Sequence, residues 1–375
     1  MAHKNIVIIG PAHPLRGGLA TFDQRLCKQF NDEGHTCCIY SFSLQYPSFL
    51  FPGTTQYSSE PAPTDIEIYS VINSCWPLNW LQIGNALQRI RPDIIVVRYW
   101  LPFMGPALGT IIRRAKKNRH TKVVAITDNV IPHEKRPMDV PFTKYFLKSC
   151  DAFITMSDKV MNDLRKFEPT KPAKMVRHPL YDNFGAAVPK EEARKKLGIE
   201  GKEKIMLFFG FIRKYKGLDV LFEAMKLIPP DSGIKLLVAG EFYEDVKPFQ
   251  EQIKRLGIED RLILRTDFIP DSEVKYYFCA ADMVVQPYRN ATQSGVTPLA
   301  YHFEKPMVVT KAGDLPIMVP HEKVGLVCEP EDPASLAAAI GRYFELGEQY
   351  FIPHLRSEKE KYNWHHLVDT ILTIN

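Results

Sequence analysis

The chain is 375 residues long, 45% hydrophobic and 24% charged, with a formal net charge of +5. That balance reads as an ordinary soluble globular protein of about two domains. The mild positive charge favours anionic ligands or an anionic membrane surface, is too weak to argue for nucleic acid, and comes with no zinc spacing or RNA-binding motif.

The first apolar run, "NIVIIG", predicts a strand. Phe22, Leu26 and Phe30 then recur at a spacing of four and predict a helix ending at Gly34. "CCIYSF", "DIIVVRYW", "KVVAIT" and "AFITMS" continue the strands, with "GPALGTIIRRAKKN" as a helix between them. Val/Ile-rich runs separated by helices indicate a parallel sheet buried on both faces. A Pro-rich, charged stretch follows, and the linker is placed near 180–190. The rhythm restarts with "KIMLFFGF", "IKLLVAGE", "RLILRTDF", "DMVVQPY", "PMVVT" and "GLVCEP". The expected architecture is α/β: two tandem Rossmann-like doubly wound domains, 1–183 and 184–349, facing a cleft, with 350–375 packing back on the first. In such sheets ligands bind outside the carboxyl ends of the strands.

Seven cysteines are scattered without a CxxC pair, which suits reduced thiols in a cytoplasmic protein. No segment has the length of uninterrupted apolar residues of a membrane span. Residues 41–57 carry five aromatics and two prolines without a clean period. They read either as a core-covering loop or as an apolar acceptor or membrane-facing patch, with Tyr46, Phe49 and Phe51 on the acceptor side.

Four turns carry candidate chemistry. Gly17 and Gly18, between the first strand and helix, let backbone N–H groups approach a phosphate or sugar; a plain turn is the alternative. "FFGFIRKYKGLD" places Arg213, Lys214 and Lys216 where a strand hands over to a helix. An Arg fork and a Lys point charge on one site suit a diphosphate, with Lys214 facing solvent. The turn after "DMVVQPY" offers the N–H groups of Ser294, Gly295 and Val296 as an anion nest, with Gln293 and Thr297 nearby. Finally, Asp128, Asn129, His133 and Glu134 follow a first-domain strand and so lie on the ligand side of the sheet.

With these stretches assembled, the chain resembles the family-four retaining glycosyltransferases (group 1) of the GT-B fold. "RGGLATF", "DNVIPHE", "GFIRKYKGLDVLFEAM", "LLVAGE", "DFIPDSEVKYYFCAADMVVQPY" and "KPMVVTKAGDLPIMV" carry the resemblance. It implies transfer of a hexose-type sugar from a nucleoside-diphosphate sugar to a saccharide or lipid-linked acceptor in surface-glycan synthesis, with no metal and no other cofactor. It further implies that Arg213 and Lys216 hold the diphosphate, that Glu241 and Ile269 also line the nucleotide site, and that Gly217 lets the helix start close behind the ligand. Asp128 and His133 would line the sugar side. Nucleic acid is not an expected partner; peripheral contact with the inner membrane face is. Two departures stand out. The family's paired glutamates fall at Ala291 and Leu299, and Asp128 stands where many members carry histidine. They leave open a nucleotide-sugar epimerase or hydrolase, or a non-catalytic sugar-nucleotide-binding protein.

Overall fold

The computed structural model describes residues 2–47, 55–131, 137–291 and 294–374. The chain divides into two compact units, Met1–Arg177 with Trp364–Asn375, and His178–Asn363.

The first unit is a seven-stranded parallel sheet in the order β3-β2-β1-β4-β5-β6-β7. Its strands are β1 (Asn5–Ile9), β2 (Thr36–Leu44), β3 (Glu67–Asn73), β4 (Ile94–Tyr99), β5 (Lys122–Thr127), β6 (Ala152–Thr155) and β7 (Ala173–Met175). Helices α1 (Gly18–Asp32), α2 (Pro77–Ile90), α3 (Gly105–Ala115), α4 (Asp139–Leu147) and α5 (Asp158–Phe167) connect them. Every residue of β4 is buried, as a central strand covered on both faces requires. The edge strand β3 was not foreseen: four of its seven residues are exposed, so no buried apolar run announces it.

The second unit is a six-stranded parallel sheet in the order β10-β9-β8-β11-β12-β13. Its strands are β8 (Lys204–Phe209), β9 (Ile234–Ala239), β10 (Leu262–Arg265), β11 (Met283–Gln286), β12 (Met307–Thr310) and β13 (Gly325–Cys328). Its helices are α6 (Lys190–Leu197), α7 (Leu218–Leu227), α8 (Lys247–Leu256), α9 (Asp271–Ala280), α10 (Val296–His302), α11 (Leu315–Met318), α12 (Pro333–Leu346) and α13 (Glu348–Lys359). A last helix, α14 (Trp364–Thr373), returns to the first unit. There Trp364 packs on Phe22 with ring centroids 4.8 Å apart, and His365 meets Glu33 at 3.1 Å. The returning segment thus begins at residue 364 rather than 350, because α13 buries Phe351 and Leu355 in the second unit.

In both sheets the strand order reverses beside the first strand of the unit: β1 lies between β2 and β4, and β8 between β9 and β11. The loops leaving β1 and β8 therefore sit at topological switch points, where ligands bind in open α/β sheets.

Candidate active site

In the second unit the chain leaves β8 through Gly210 and forms a short 3-10 turn, Lys214–Lys216, before α7. The three cations of this stretch separate sharply. Arg213 and Lys214 are exposed, whereas Lys216 is only 8% exposed. The Lys216 ammonium lies above Gly210: a β-carbon built there would sit 3.0 Å from Nζ and 3.8 Å from Val296 Cγ2. Glycine thus lets the ammonium settle onto the end of β8 beside the start of α10. Lys216 Nζ also stands 5.8 Å from the centroid of the buried Tyr288 ring. Among the described residues no acceptor forms a hydrogen bond or ion pair with this ammonium. Burial, and secondarily the Arg213 charge, bring the Lys216 pKa down to about 7. A buried cation without an anion is costly unless a ligand supplies the anion.

The Arg213 guanidinium stands 5.0 Å from the Tyr243 ring centroid, and Tyr243 stacks on Phe211 at 4.3 Å. The turn itself is clamped from β11. Arg289 forks onto Asp219 at 2.6 and 2.8 Å, and donates to the Lys214 carbonyl at 2.7 Å. Burial pushes the Asp219 carboxyl up, but the Arg289 fork prevails and holds it below its ordinary value. Arg289 is a supporting residue that the sequence reading missed. Gly217 is required by packing: its β-carbon would stand 2.0 Å from the Pro287 carbonyl oxygen, at the end of β11.

The remaining nucleotide-side expectations fall into three groups. Glu241 and Ile269 are buried at the carboxyl ends of β9 and β10, the Glu241 carbonyl accepting from the Ile212 N–H at 2.8 Å. Ser294 and Thr297 do not present their hydroxyls outward: both donate to Gln286 Oε1, at 2.6 and 3.1 Å. The Val296 N–H, expected in an open nest, donates to Ser294 Oγ at 3.2 Å, which leaves the neighbouring Gly295 as the exposed member of that turn. Gln293 lies outside the described residues. Gln286, a polar residue closing an apolar strand, organises this turn and was not singled out. Ala291 and Leu299 are both buried, 3% and 5% exposed.

In the first unit, Gly17 precedes α1 with φ 103° and Gly18 is the first residue of the helix. Asp128, just past β5, is not an open carboxylate. Arg98 of β4 forks onto both of its oxygens at 2.5 and 2.7 Å, and both residues are buried. Asp23 of α1, 1% exposed, stands 3.7 Å from the same guanidinium. A β-carbon at Gly10 would fall 2.1 Å from Asp23 Oδ2, so the turn after β1 can close over the cluster only with glycine there. Burial, with the Asp128 charge adding to it and Arg98 opposing, raises the Asp23 carboxyl well above its ordinary value. Phe22 covers the guanidinium face at 4.0 Å. Asn129 has its side-chain oxygen buried without a hydrogen bond among the described residues. Tyr46 packs against the core, and its hydroxyl accepts from Trp100 Nε1 at 2.7 Å and Gln45 Nε2 at 2.8 Å, so it belongs to the core-covering alternative. Phe49, Phe51, His133 and Glu134 lie outside the described residues.

Residues 189–353 match the model for glycosyl transferases group 1, and residues 16–179 match that for glycosyltransferase family 4. The chain belongs to the group 1 glycosyltransferases, with GT-B architecture. Among solved structures, that of Anabaena Alr3699/HepE in complex with UDP-glucose covers 99% of this glycosyltransferase and 98% of its own chain, at a TM-score of 0.74 and 17% identity. WaaG, a glycosyltransferase involved in lipopolysaccharide biosynthesis, has a TM-score of 0.71 over 98% of this chain and 99% of its own, at 17% identity. Among curated relatives, the D-inositol 3-phosphate glycosyltransferase of Corynebacterium urealyticum is 31% identical over 166 residues, 42% of this chain and 39% of its own. The N-acetyl-alpha-D-glucosaminyl L-malate synthase of Bacillus anthracis is 22% identical over 338 residues, 87% of this chain and 84% of its own. The match spans only 47%, 39% and 37% of the length of three of the curated relatives.

Proposed function

We propose that the protein is a retaining glycosyltransferase that moves a hexose-type sugar from a nucleoside-diphosphate sugar to a saccharide or lipid-linked acceptor in surface-glycan synthesis. The observation that carries the reading is Lys216: a buried ammonium with no anion among the described residues, beside the exposed guanidinium of Arg213, at the switch point of the second sheet. A diphosphate supplies the missing charge, each charge-assisted hydrogen bond contributing about 1.5–3 kcal/mol. The complexes of the Anabaena protein with UDP and UDP-glucose are in keeping with such a donor.

In this reading Lys216 and Arg213 stabilise the charge that develops on the leaving diphosphate, which is where preorganised donors lower a barrier most. They do so without a metal. A diphosphate oxygen takes the acceptor proton while the new bond forms on the face the diphosphate leaves. Asp128 is held with Arg98 as a fixed ion pair within the first unit rather than free to act as a base, since both its oxygens accept from the guanidinium.

The test is incubation with a panel of nucleotide sugars, with and without glycan and lipid-linked acceptors, in the presence of EDTA. Acceptor-dependent transfer, with the product's anomeric configuration retained by NMR, is expected. Conversion without an acceptor would establish the epimerase or hydrolase instead. Because Ala291 and Leu299 replace the family's two glutamates, a non-catalytic binder is the second reading, and it predicts thermal stabilisation by a nucleoside diphosphate with no turnover.

A further inference from the structure

The Lys216 ammonium is buried without an acceptor among the described residues, yet it does not turn out to water as a lysine on a flexible stem can. Some group on the protein must offset its burial before any ligand arrives. The backbone on either side shows what faces it. The Arg289 N–H donates to the Tyr215 carbonyl at 2.7 Å, and a β-carbon on Gly217 would meet the Pro287 carbonyl oxygen at 2.0 Å. With Tyr215 set against Arg289 and Gly217 against Pro287, Lys216 comes opposite Tyr288. The side chains agree: Lys216 Nζ stands over the Tyr288 ring, 5.8 Å from its centroid. That is within reach of cation–π attraction, which is stronger where water is excluded.

Tyr288 is buried and fixed from several sides. Tyr215 meets it edge-on, with ring centroids 6.0 Å apart and planes at 78°. Its hydroxyl hydrogen-bonds Ser294, which donates in turn to Gln286 Oε1 at 2.6 Å. Its carbonyl accepts from Thr310 Oγ1 at 2.5 Å. Burial, and secondarily Tyr215, push the phenol well above its ordinary value against the effect of the Ser294 bond. Tyr288 therefore stays neutral, and it presents to the ammonium a ring face rather than a phenolate. An aliphatic side chain could fill the same space, but it would leave the cation against hydrocarbon.

We propose that Tyr288 is a positioning residue of the Lys216 site: its ring face holds the ammonium at the end of β8 while no anion is bound. The ring favours the protonated form of Lys216 and limits its rotamers. Less freedom is then lost when a diphosphate arrives, a consequence that rests on the function proposed above.

The test is the titration of Lys216 in the unliganded full chain, by trace labelling with acetic anhydride over a series of pH values and mass spectrometry of the peptide that carries it. Two variants are compared, Y288F and Tyr288→trifluorophenylalanine, the second a ring of nearly the same size with its π face weakened. The wild-type midpoint is expected at about 7. Y288F keeps the ring face and should titrate within about half a unit of the wild type. The fluorinated variant should melt with Y288F but titrate about one unit lower. Equal midpoints in the two variants, or a higher one in the fluorinated protein, overturn the proposal. UDP, the nucleotide bound by the Anabaena protein, probes the consequence for binding. On the alkaline side of the midpoint its affinity should be up to about tenfold weaker for the fluorinated variant than for Y288F. A lowered midpoint with unchanged UDP affinity supports the role of the ring and counts against Lys216 as the diphosphate ligand. A change in affinity without a change in midpoint overturns the role of the ring.

Discussion

The turns after β1 and β8 occupy the same place in two copies of one architecture, and both bury a cation. Under the turn after β1 the cation is Arg98 of β4, gripped by Asp128 with Asp23 close by. After β8 it is Lys216, with no carboxylate to meet it among the described residues. The first cluster carries its own counter-charge; the second shows none among the described residues. Under the proposed function the difference is that between a charge that maintains a fold and a charge held ready for an anion, and four measurements bear on it.

The largest effect should come from Arg98→Ala. It leaves two carboxylates buried without their cation, and removing one partner of a buried pair costs about 3–5 kcal/mol. Urea denaturation would report it, and a loss under about 1 kcal/mol would mean that water already satisfies the cluster.

Next comes Lys216→Met, which should weaken nucleoside-diphosphate binding by about one to two decades. Because it also removes an unpaired buried ammonium, thermal stability should stay level or rise. Loss of stability together with binding would make Lys216 a structural residue like Arg98.

The third effect is one of pH. With the free Lys216 near 7, the ammonium is already charged below that pH, and above it a proton must be taken up when the anion binds. Affinity should therefore fall as pH rises above 7, by at most about tenfold per unit. Lys216→Arg, charged throughout, should flatten the profile. Calorimetry in two buffers of different ionisation enthalpy would detect the proton, and a pH-independent affinity with no proton uptake would contradict the arrangement.

The smallest effect is that of Asp23→Asn. The folded protein holds the Asp23 proton more tightly than the unfolded chain, so ionisation costs stability as pH rises from the ordinary value of 3.8 through the raised one. The amide removes that cost, and the variant should match or exceed the wild type at neutral pH by up to about 1 kcal/mol. Its advantage should vanish in acid, where the wild-type carboxyl is protonated in both states. A variant less stable at neutral pH would show that the Asp23 charge is needed by Arg98.

How much of this could be read in the sequence depended on whether the signal was local. Buried parallel strands are continuous apolar runs, so most strands of both sheets were legible; β3, mostly exposed at an edge, and β7, three residues long, were not. The cations at 213–216 were legible because charge interrupts an apolar boundary. Which of them is buried depended on the 3-10 turn, and that turn depends on Arg289, more than seventy positions on. Ser294 and Thr297 were read as ligand-facing because polar residues near a helix start often are; their real partner, Gln286, is set by how α10 lies against β11. Arg98 carried a readable sign, a lone charge within "IIVVRY", since a charge in a strand covered on both faces must find a counter-charge. Asp128 is that counter-charge, which is why it could not remain the open carboxylate that its position suggested.

The return of α14 to the first unit has a consequence for how the molecule is made. Phe22 and Arg25 of α1 await Trp364, which leaves the ribosome more than three hundred residues after them. At about 5–20 residues per second the delay is tens of seconds. For that time the first sheet is a nearly finished domain with an uncovered helix flank, while the second unit is synthesised whole and can fold without waiting. The first unit begins before the second and is completed after it.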